Sequence, residues 1–570
     1  MMKGFHRWRG VALATALLAG NAHAAIVVDL SFVDLQSVEY QRFKGFVDDA
    51  VAGNPGYGFS AADAAYMYKL TAQAQYATLA VQTVEAQVAA AEAAIAGGDA
   101  PDIAGDQYLE VGPMIEDLAL TYDWCAGHVT PAQRTRWGNY AEQAVWNVWH
   151  HDQAQWGGHP HAWPGWGVDD PANNYHYSFL RATMYWGLAS NSTTWKDLLQ
   201  NVRWPEQLAY TATIPGGGSE EGTAYGLSHG TLFMLYRVWH DSTGSDIGNA
   251  NAHVTDSIAW WLHSTVPTRD RVAPIGDQAR VSEPVIYDYH RHLVLEARRV
   301  SNDATAQANA SWWLHTISDQ DMESGFNYRH NLLPAGPAGT PPAQLVYHAT
   351  GTGQLFARTG WDTGAMWLAF SAGPYVQSHA HQDQGAFTLF EGDWLAATEN
   401  MWTHSGIQQG TDTNNVVRFD HDGATVPQRE GTTSTMTVTP GAGGAVHAVA
   451  DLTPAYDGDA AVGAWHRTID FAARTLTVTD AFTLGAGTTA TFQVNTPVQP
   501  VVNGLVATAG PLKIRVISPA NATLSTLDWT TQSDENETFN SGWRLDVHGG
   551  TTGYMVELST TDTIFANGFD

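Results

Sequence analysis

Three stretches of the chain hold residue types that move protons or bind ions. The first is Asp169-Asp170-Pro171-Ala172-Asn173-Asn174-Tyr175-His176-Tyr177, two amides, an imidazole and two phenols ahead of an amphipathic pattern. One of the two asparagines suits a helix N-cap, where a short side-chain oxygen accepts from an orphaned backbone N–H. A cap does not account for His176 beside them. The second runs from Pro215 through Gly216, Gly217 and Gly218 to Glu220, Glu221 and Tyr225. A glycine run lets backbone approach a ligand closely, and a helix opening near Glu221 would place Tyr225 one turn inside, at the loop-facing end; a plain turn with Tyr225 in the core is the alternative. The third is His379-Ala380-His381-Gln382-Asp383. In a strand its three polar side chains would share one face, which suits a metal site, a polar active-site wall or a purely structural network.

Two kinds of element must position these residues. From about Val38 to Tyr328 apolar residues recur at three- and four-residue spacing, which predicts helices. Ser60 with Asp63 reads as a capping box, followed by an Ala-rich stretch that stops at Gly97-Gly98. Thr130-Pro131 reads as a cap and first helical residue, and Trp137, Tyr140, Ala141, Ala144, Val145, Val148 and Trp149 behind it share a face. Further helical runs cover Tyr175 to Ala189, Ala224 to Trp239, Ile247 to Ser264 and Glu283 to Val300. Paired helices joined by long loops predict an α/α toroid over residues 25–332, its loops building a cleft at one end. The Pro/Gly-rich segment 333–345 breaks the periodicity and reads as a linker. Beyond it short alternating runs, among them Leu355 to Arg358, Met366 to Phe370, Val446 to Ala450 and Tyr554 to Leu558, predict an antiparallel β-sandwich over 346–570. The expected class is therefore α+β multidomain, with a ligand cleft where the two domains meet.

Of 570 residues, 57 are acidic and 27 basic, a formal net charge of −30. That balance excludes a nucleic-acid partner and a polybasic membrane surface, both of which need clustered Lys and Arg. With 44% hydrophobic residues, the length exceeds what one core organises, so two large domains are expected. The 23 Trp, 21 Tyr and 19 Phe argue against disorder and offer rings for sugar stacking, Trp163 among them. Lys3, Arg7 and Arg9, the apolar run Val11 to Ala19 and Ala22-His23-Ala24 read as an export signal over residues 1–24. The run is about half the ~20 residues a membrane span needs, so a periplasmic or secreted protein is expected, with no membrane insertion after cleavage. Cys125 is the single cysteine and falls in an apolar helical pattern, where a buried structural thiol is expected.

Taken together, the Asn-Asn pair near His176, the Glu221-Gly222-x-x-Tyr225 run, Arg358-Thr359-Gly360-Trp361-Asp362 and His379-x-His381-x-Asp383 ahead of Phe387 resemble heparinase II/III-type polysaccharide lyases. Tyr122-Asp123-Trp124 and Pro274-Ile275-Gly276-Asp277 match recurring segments of the same family, so the resemblance spans nearly the whole chain beyond residue 24. It implies a toroid followed by a sandwich, and eliminative cleavage of an anionic uronate polysaccharide or oligosaccharide such as a glycosaminoglycan or alginate. It also implies one divalent metal in the β-domain, with His381 and either Glu399 or His404 as ligands, zinc being expected and calcium in its place if oxygens dominate. Asn414-Asn415-Val416-Val417 carries asparagine where the family has a further ligand histidine.

In such an elimination a base removes the proton at C5, beside the uronate carboxylate, and an acid protonates the oxygen leaving C4. Abstraction adds a second negative charge to the carboxylate, so the enzyme must first neutralise it with preorganised donors. On this reading Asn174 donates to the carboxylate, Tyr225 is the acid and also the base where the C5 proton and C4 oxygen lie on one face of the sugar, His176 is the base for the opposite epimer, and His379 assists from the sandwich side. Asn173, Glu221, Tyr375, Trp163 and Arg181 are expected to bind substrate, Arg280 is a further candidate for a carboxylate, and Arg358 is expected to hold the domain junction. Two alternatives stay open: a glycoside hydrolase using two carboxylates from Asp169, Asp170, Glu220 and Glu221, and a non-catalytic carbohydrate-binding protein. The net charge adds a condition: acids must lie away from the cleft, and Arg, His and amide donors must line it.

Overall fold

A computed structural model describes residues 25–278, 283–399, 401–402, 409–532 and 539–560. The expected export signal, Arg280 and His404 lie outside the described residues.

The first half is helical. Its helices are α1 (Val38–Val51), α2 (Ala61–Thr71), α3 (Ala74–Gly97), α4 (Val111–Trp124), α5 (Pro131–Trp149), α6 (Asn174–Ala189), α7 (Thr193–Leu198), α8 (Trp204–Thr211), α9 (His229–Thr243), α10 (His253–Ser264), α11 (Asp288–Val300) and α12 (Ala304–Leu314). Local chemistry sets several of their ends. At α5 the Thr130 hydroxyl accepts from the Gln133 N–H while the Gln133 side chain accepts from the Thr130 N–H, and Pro131 takes the first helical position. At α2 the Ser60 N–H donates to Asp63 at 3.0 Å. The expected single helix from there to Gly97 is instead two, because Ala72 turns left-handed at φ 56° between α2 and α3. Helices α2, α4, α6, α9 and α11 pack in succession, each against the next, and α3, α5, α10 and α12 lie against that series. No helix among the described residues is long and apolar enough to cross a membrane.

Residues 333–345 carry neither helix nor strand, and the sheets that follow are antiparallel throughout. The first has five strands in the order Val346–Ala349, Gln354–Arg358, Trp367–Ser371, Phe387–Glu391 and Asp393–Ala396. Phe356, Trp367, Ala369 and Phe390 project into the core shared with the helices, while Leu355, Leu368, Phe370 and Leu389 enter a second core built by the remaining strands. Both faces are covered, which is why these strands are apolar at successive positions rather than alternating. An eight-stranded sheet centred on Thr475–Leu484 and Gly553–Thr560 and a five-stranded sheet centred on Thr488–Thr496 complete the second core.

Arg358 ties the halves together as expected. Buried at the end of its strand, it donates to the carbonyls of His263 at 2.8 Å and Thr265 at 2.7 Å, at the C-terminus of α10, and its guanidinium stacks on Trp361 at 3.7 Å. A cation there satisfies carbonyls that the helix itself leaves unpaired.

Candidate active site

A cavity of about 960 Å³ opens among the N-terminal ends of α6 and α11, the segment before α9 and the loops around Ser60 and Arg329. Asn174, Tyr225, Gln278 and Tyr287 lie along it. The two adjacent asparagines have divided their work. Asn173 is the cap of α6, its side-chain oxygen accepting from the Tyr175 N–H at 3.0 Å, whereas the Asn174 amide has no hydrogen-bond partner among the described residues and its Oδ1 is buried. A buried amide oxygen without a partner is costly unless something else binds it.

Tyr225 sits outside the regular helix that the sequence predicts around it. It opens a short 3-10 turn, and α9 begins only at His229. The glycines upstream approach protein rather than ligand: a Cβ on Gly222, at φ +81°, would fall 2.0 Å from the Ile275 carbonyl oxygen, and one on Gly218 would meet Trp260. The Thr223 N–H donates to that same carbonyl at 2.9 Å. The loop carrying Tyr225 is thus stitched to the strand-like segment that ends at Asp277.

Asp277 organises the other side of the site. Residues 376–386 form a loop, not the strand that would align His379, His381 and Asp383, and the two histidines converge on one carboxylate. His379 Nδ1 lies 3.0 Å from one Asp277 oxygen and His381 Nε2 2.7 Å from the other. Burial acts to raise the Asp277 carboxyl, but the two histidine hydrogen bonds outweigh it and hold the group below its usual range. It is therefore a carboxylate at neutral pH, both facing ring nitrogens carry hydrogen, and Nε2 of a neutral His379 keeps its lone pair. The His379 ring stacks on Tyr225, centroids 3.5 Å apart and planes within 7°. The Tyr225 hydroxyl has no hydrogen-bond partner among the described residues. Its pKa is raised by burial, with Asp277, Glu221 and Tyr287 adding to the effect, so it is held as the phenol.

Several expected site residues lie elsewhere. His176 is buried, its Nδ1 held at 3.1 Å from the carbonyls of Gly167 and Val168, and burial drives its pKa down to about 4. It faces a second cavity with Asp169, Arg203 and Tyr210 instead of the one holding Asn174, because successive side chains on a helix point about 100° apart. Glu221 is fully buried, and burial pushes its carboxyl up to about 8. Trp163 packs against Tyr108 and Phe179 and donates to the Asn147 carbonyl at 3.1 Å. Tyr375 belongs to a two-residue strand paired with Thr432–Thr433 and does not line the cavity. Arg181 does line it, its guanidinium paired with Glu116.

The described donors expected for a metal, His381 and Glu399, do not gather with a third, although Oε2 of Glu399 is buried without a partner. His381 spends its Nε2 on Asp277, and Glu399, buried and pushed up to about 8, accepts from the Gly542 N–H at 2.6 Å. Among the described residues the one group with three donor atoms within 4.8 Å is His292, Glu296 and His330, in the helical half rather than the β-domain. There both Glu296 oxygens already accept from Arg237, at 2.7 and 2.8 Å.

Tyr287, Arg329 and His330 escaped the sequence reading, and Asp277 entered it only as part of a matching segment. The Gln278 amide donates to the Tyr287 hydroxyl at 2.9 Å. Nothing in their local spacing marks these residues. A signal exists only for Asp277, whose preceding Gly276 has φ +72° and would meet backbone carbonyls with any Cβ.

No protein-family model matches the chain, and no curated protein matches it in sequence. Solved structures do match it in fold. A crystal structure of heparinase III superposes with a TM-score of 0.62 at 12% identity, covering 89% of this chain and 77% of that one. A second heparinase III gene product gives 0.59 at 11% identity over 94% and 85% of the two chains. A mutant heparan sulfate lyase from Pedobacter heparinus gives 0.59 at 14% identity over 94% and 86%. The chain therefore has the fold of a heparinase-like polysaccharide lyase, with a sequence far diverged from these neighbours.

Proposed function

We infer that the protein is a polysaccharide lyase that cleaves a uronic-acid-containing anionic polysaccharide by β-elimination, with an α/α toroid over residues 25–332 lining the cleft and a β-sandwich over 346–570 that brings His379 against Tyr225 beside it. Its first 24 residues, read as an export signal, suit work in the periplasm or outside the cell. One observation carries the reading: the cavity offers an uncommitted amide, an uncommitted phenol and two arginines, and Glu110 is the one carboxylate among its described lining residues. A polyanion can enter such a cleft despite the negative charge of the whole chain. A glycoside hydrolase needs a second carboxylate roughly 5–10 Å from the first, and Glu220 and Glu221 do not line this cavity.

The chemistry follows from the protonation states. Asn174 donates to the uronate carboxylate, which lowers the cost of the enolate-like charge that develops there; an oxyanion-hole donor is worth roughly 3–4 kcal/mol. Nε2 of His379 takes the C5 proton, the electron pair forms the C4–C5 double bond, the C4–O bond breaks, and the Tyr225 phenol protonates the departing oxygen. Tyr225 suits the acid role because its surroundings favour the protonated form. Acid and base stacked on one another favour the uronate epimer whose C5 proton and C4 oxygen lie on one face of the sugar.

Incubation of the protein with uronate polymers of both epimers tests this. Ultraviolet absorbance from a conjugated C4–C5 double bond, appearing with new chain ends, is the expected result. New reducing ends without absorbance would establish a hydrolase, and binding without either a carbohydrate-binding protein. Tyr225→Phe should lower the rate by at least about 10³-fold with the circular dichroism spectrum unchanged; an unaltered rate would remove Tyr225 from the mechanism.

A further inference from the structure

One wall of the cavity is built unlike the rest of its lining. Arg181 of α6, His292 of α11 and the neighbours Arg329 and His330 all line it. Their counter-ions do not. Glu116 pairs with Arg181 and accepts from Arg329 at 3.2 Å, Asp63 accepts from Arg329 at 3.1 Å, and Glu296 is taken up by Arg237. All three acids are buried and none of them lines the cavity. The guanidiniums thus stand between the cavity and the acids that hold them, and the cavity surface is cationic although the pairs behind it are balanced. The two imidazoles pack within this wall: His292 and His330 stack with centroids 3.8 Å apart, and the buried Nε2 of His292 lies 3.6 Å from Glu296.

A cation fits this wall poorly. Arg237, Arg181 and Arg329 surround the two histidines, and Glu296 has no oxygen to spare. An oxyanion fits it: Arg presents a planar fork to carboxylate or sulfate, already held in place by the acids behind it.

We propose that this wall is a second anion subsite, which binds a carboxylate or sulfate on a sugar adjoining the one whose proton is removed, and so selects polymers carrying a further anionic group beyond the scissile uronate. The subsite rests on the lyase reading for its sugar but not for its anion chemistry, and the two can fail separately. Arg329 positions Arg181, the more exposed of the two guanidiniums, through the Glu116 carboxylate that both hold.

Calorimetric titration of inorganic sulfate into the full chain, at ionic strength held constant with chloride, tests the wall directly. One saturable site is expected, retained in Tyr225→Phe and weakened at least about tenfold in Arg181→Gln, as loss of one charge-assisted hydrogen-bonding group implies. Thr231→Glu, which adds a carboxylate to the same cavity while leaving the Arg181–Glu116 pair intact, should weaken it equally and guards against misfolding of the first variant. Uronate oligosaccharides with and without sulfate, bound to Tyr225→Phe, distinguish the source: tighter binding of the sulfated set assigns sulfate, equal binding assigns carboxylate. In the active protein Arg181→Gln should raise KM about tenfold or more with kcat little changed. Absence of saturable sulfate binding, wild-type affinity retained in both Arg181→Gln and Thr231→Glu, or one zinc ion per chain lost in His292→Gln would each overturn the proposal. Saturable sulfate binding lost in Arg181→Gln, with no double-bond absorbance from any uronate polymer, would instead sink the lyase reading and leave the anion site standing.

Discussion

Asn173 and Asn174 are the same residue type one position apart, and the helix separates their uses. The first spends its oxygen on a backbone N–H; the second, one step further round, turns an unpaired amide toward the cavity. A comparable division sets Asp277 apart from the other acids near the site, since it alone carries the two histidines. Asp277→Asn should leave His379 in place but free to take the other tautomer, lowering kcat on the order of 10²-fold and flattening the acid limb of the pH–rate profile; an unchanged profile would mean that Asp277 serves only the loop. Glu221 gives a stability prediction with a definite sign. Its folded pKa of about 8 lies above its ordinary 4.5, so the native state keeps a proton that the unfolded chain releases, and this group's contribution to stability falls as pH rises from about 4.5 to about 8. Urea unfolding of Glu221→Gln at pH 5 and pH 8 should show the variant gaining on the wild type by on the order of 2–4 kcal/mol between the two. A constant difference would place Glu221 in a more solvated setting than its burial indicates.

At the scale of elements, the first sheet is the part that both halves share. Its strands face the helical core with one set of side chains and the second core with the other, so Arg358 and the 376–386 loop are held from two directions. Arg467 supports that loop from beneath. It is fully buried, forms paired hydrogen bonds with Asp480 at 2.8 and 3.0 Å, and donates to the carbonyls of Gly385 at 2.6 Å and Asn415 at 2.9 Å. Arg467→Met leaves the Asp480 charge buried with Trp465 as its remaining side-chain donor, and should cost about 3–5 kcal/mol by denaturant unfolding. Arg467→Met with Asp480→Leu should recover a large part of that loss; no recovery would show that the two carbonyl contacts, rather than the ion pair, carry the stability.

For the molecule as a whole, a formal charge of −30 and a cavity lined by two arginines, two histidines and one acid describe opposite fields at different distances. Far from the surface the protein repels a polyanion, and at the cleft it attracts one. Moderate salt screens the distant repulsion first, because the Debye length is about 10 Å at 0.1 M. The second-order rate on a long uronate polymer should therefore rise between about 10 mM and 100 mM salt and fall again at higher salt, as the cleft contacts are screened in turn. A rate that falls from the lowest salt upward would mean that the acids do not reach the approach path.

Sequence alone determined the order of helices and strands, the place where one gives way to the other, and the motifs that hold Asn174, Tyr225 and His379. These depend on local periodicity, caps and breakers, each of which acts within a few residues. It could not tell which asparagine was the cap, that Tyr225 precedes its helix, or that His176 faces another cavity, because each depends on a rotation of one residue or less than a turn. Nor could it show that Asp277 gathers His379 and His381, or find Tyr287 and Arg329, which share the cavity with Tyr225 from about 60 and 100 positions away in the chain. The sign of the charge at the cleft was likewise decided in three dimensions, by burying Asp63, Glu116 and Glu296 behind the guanidiniums that they hold.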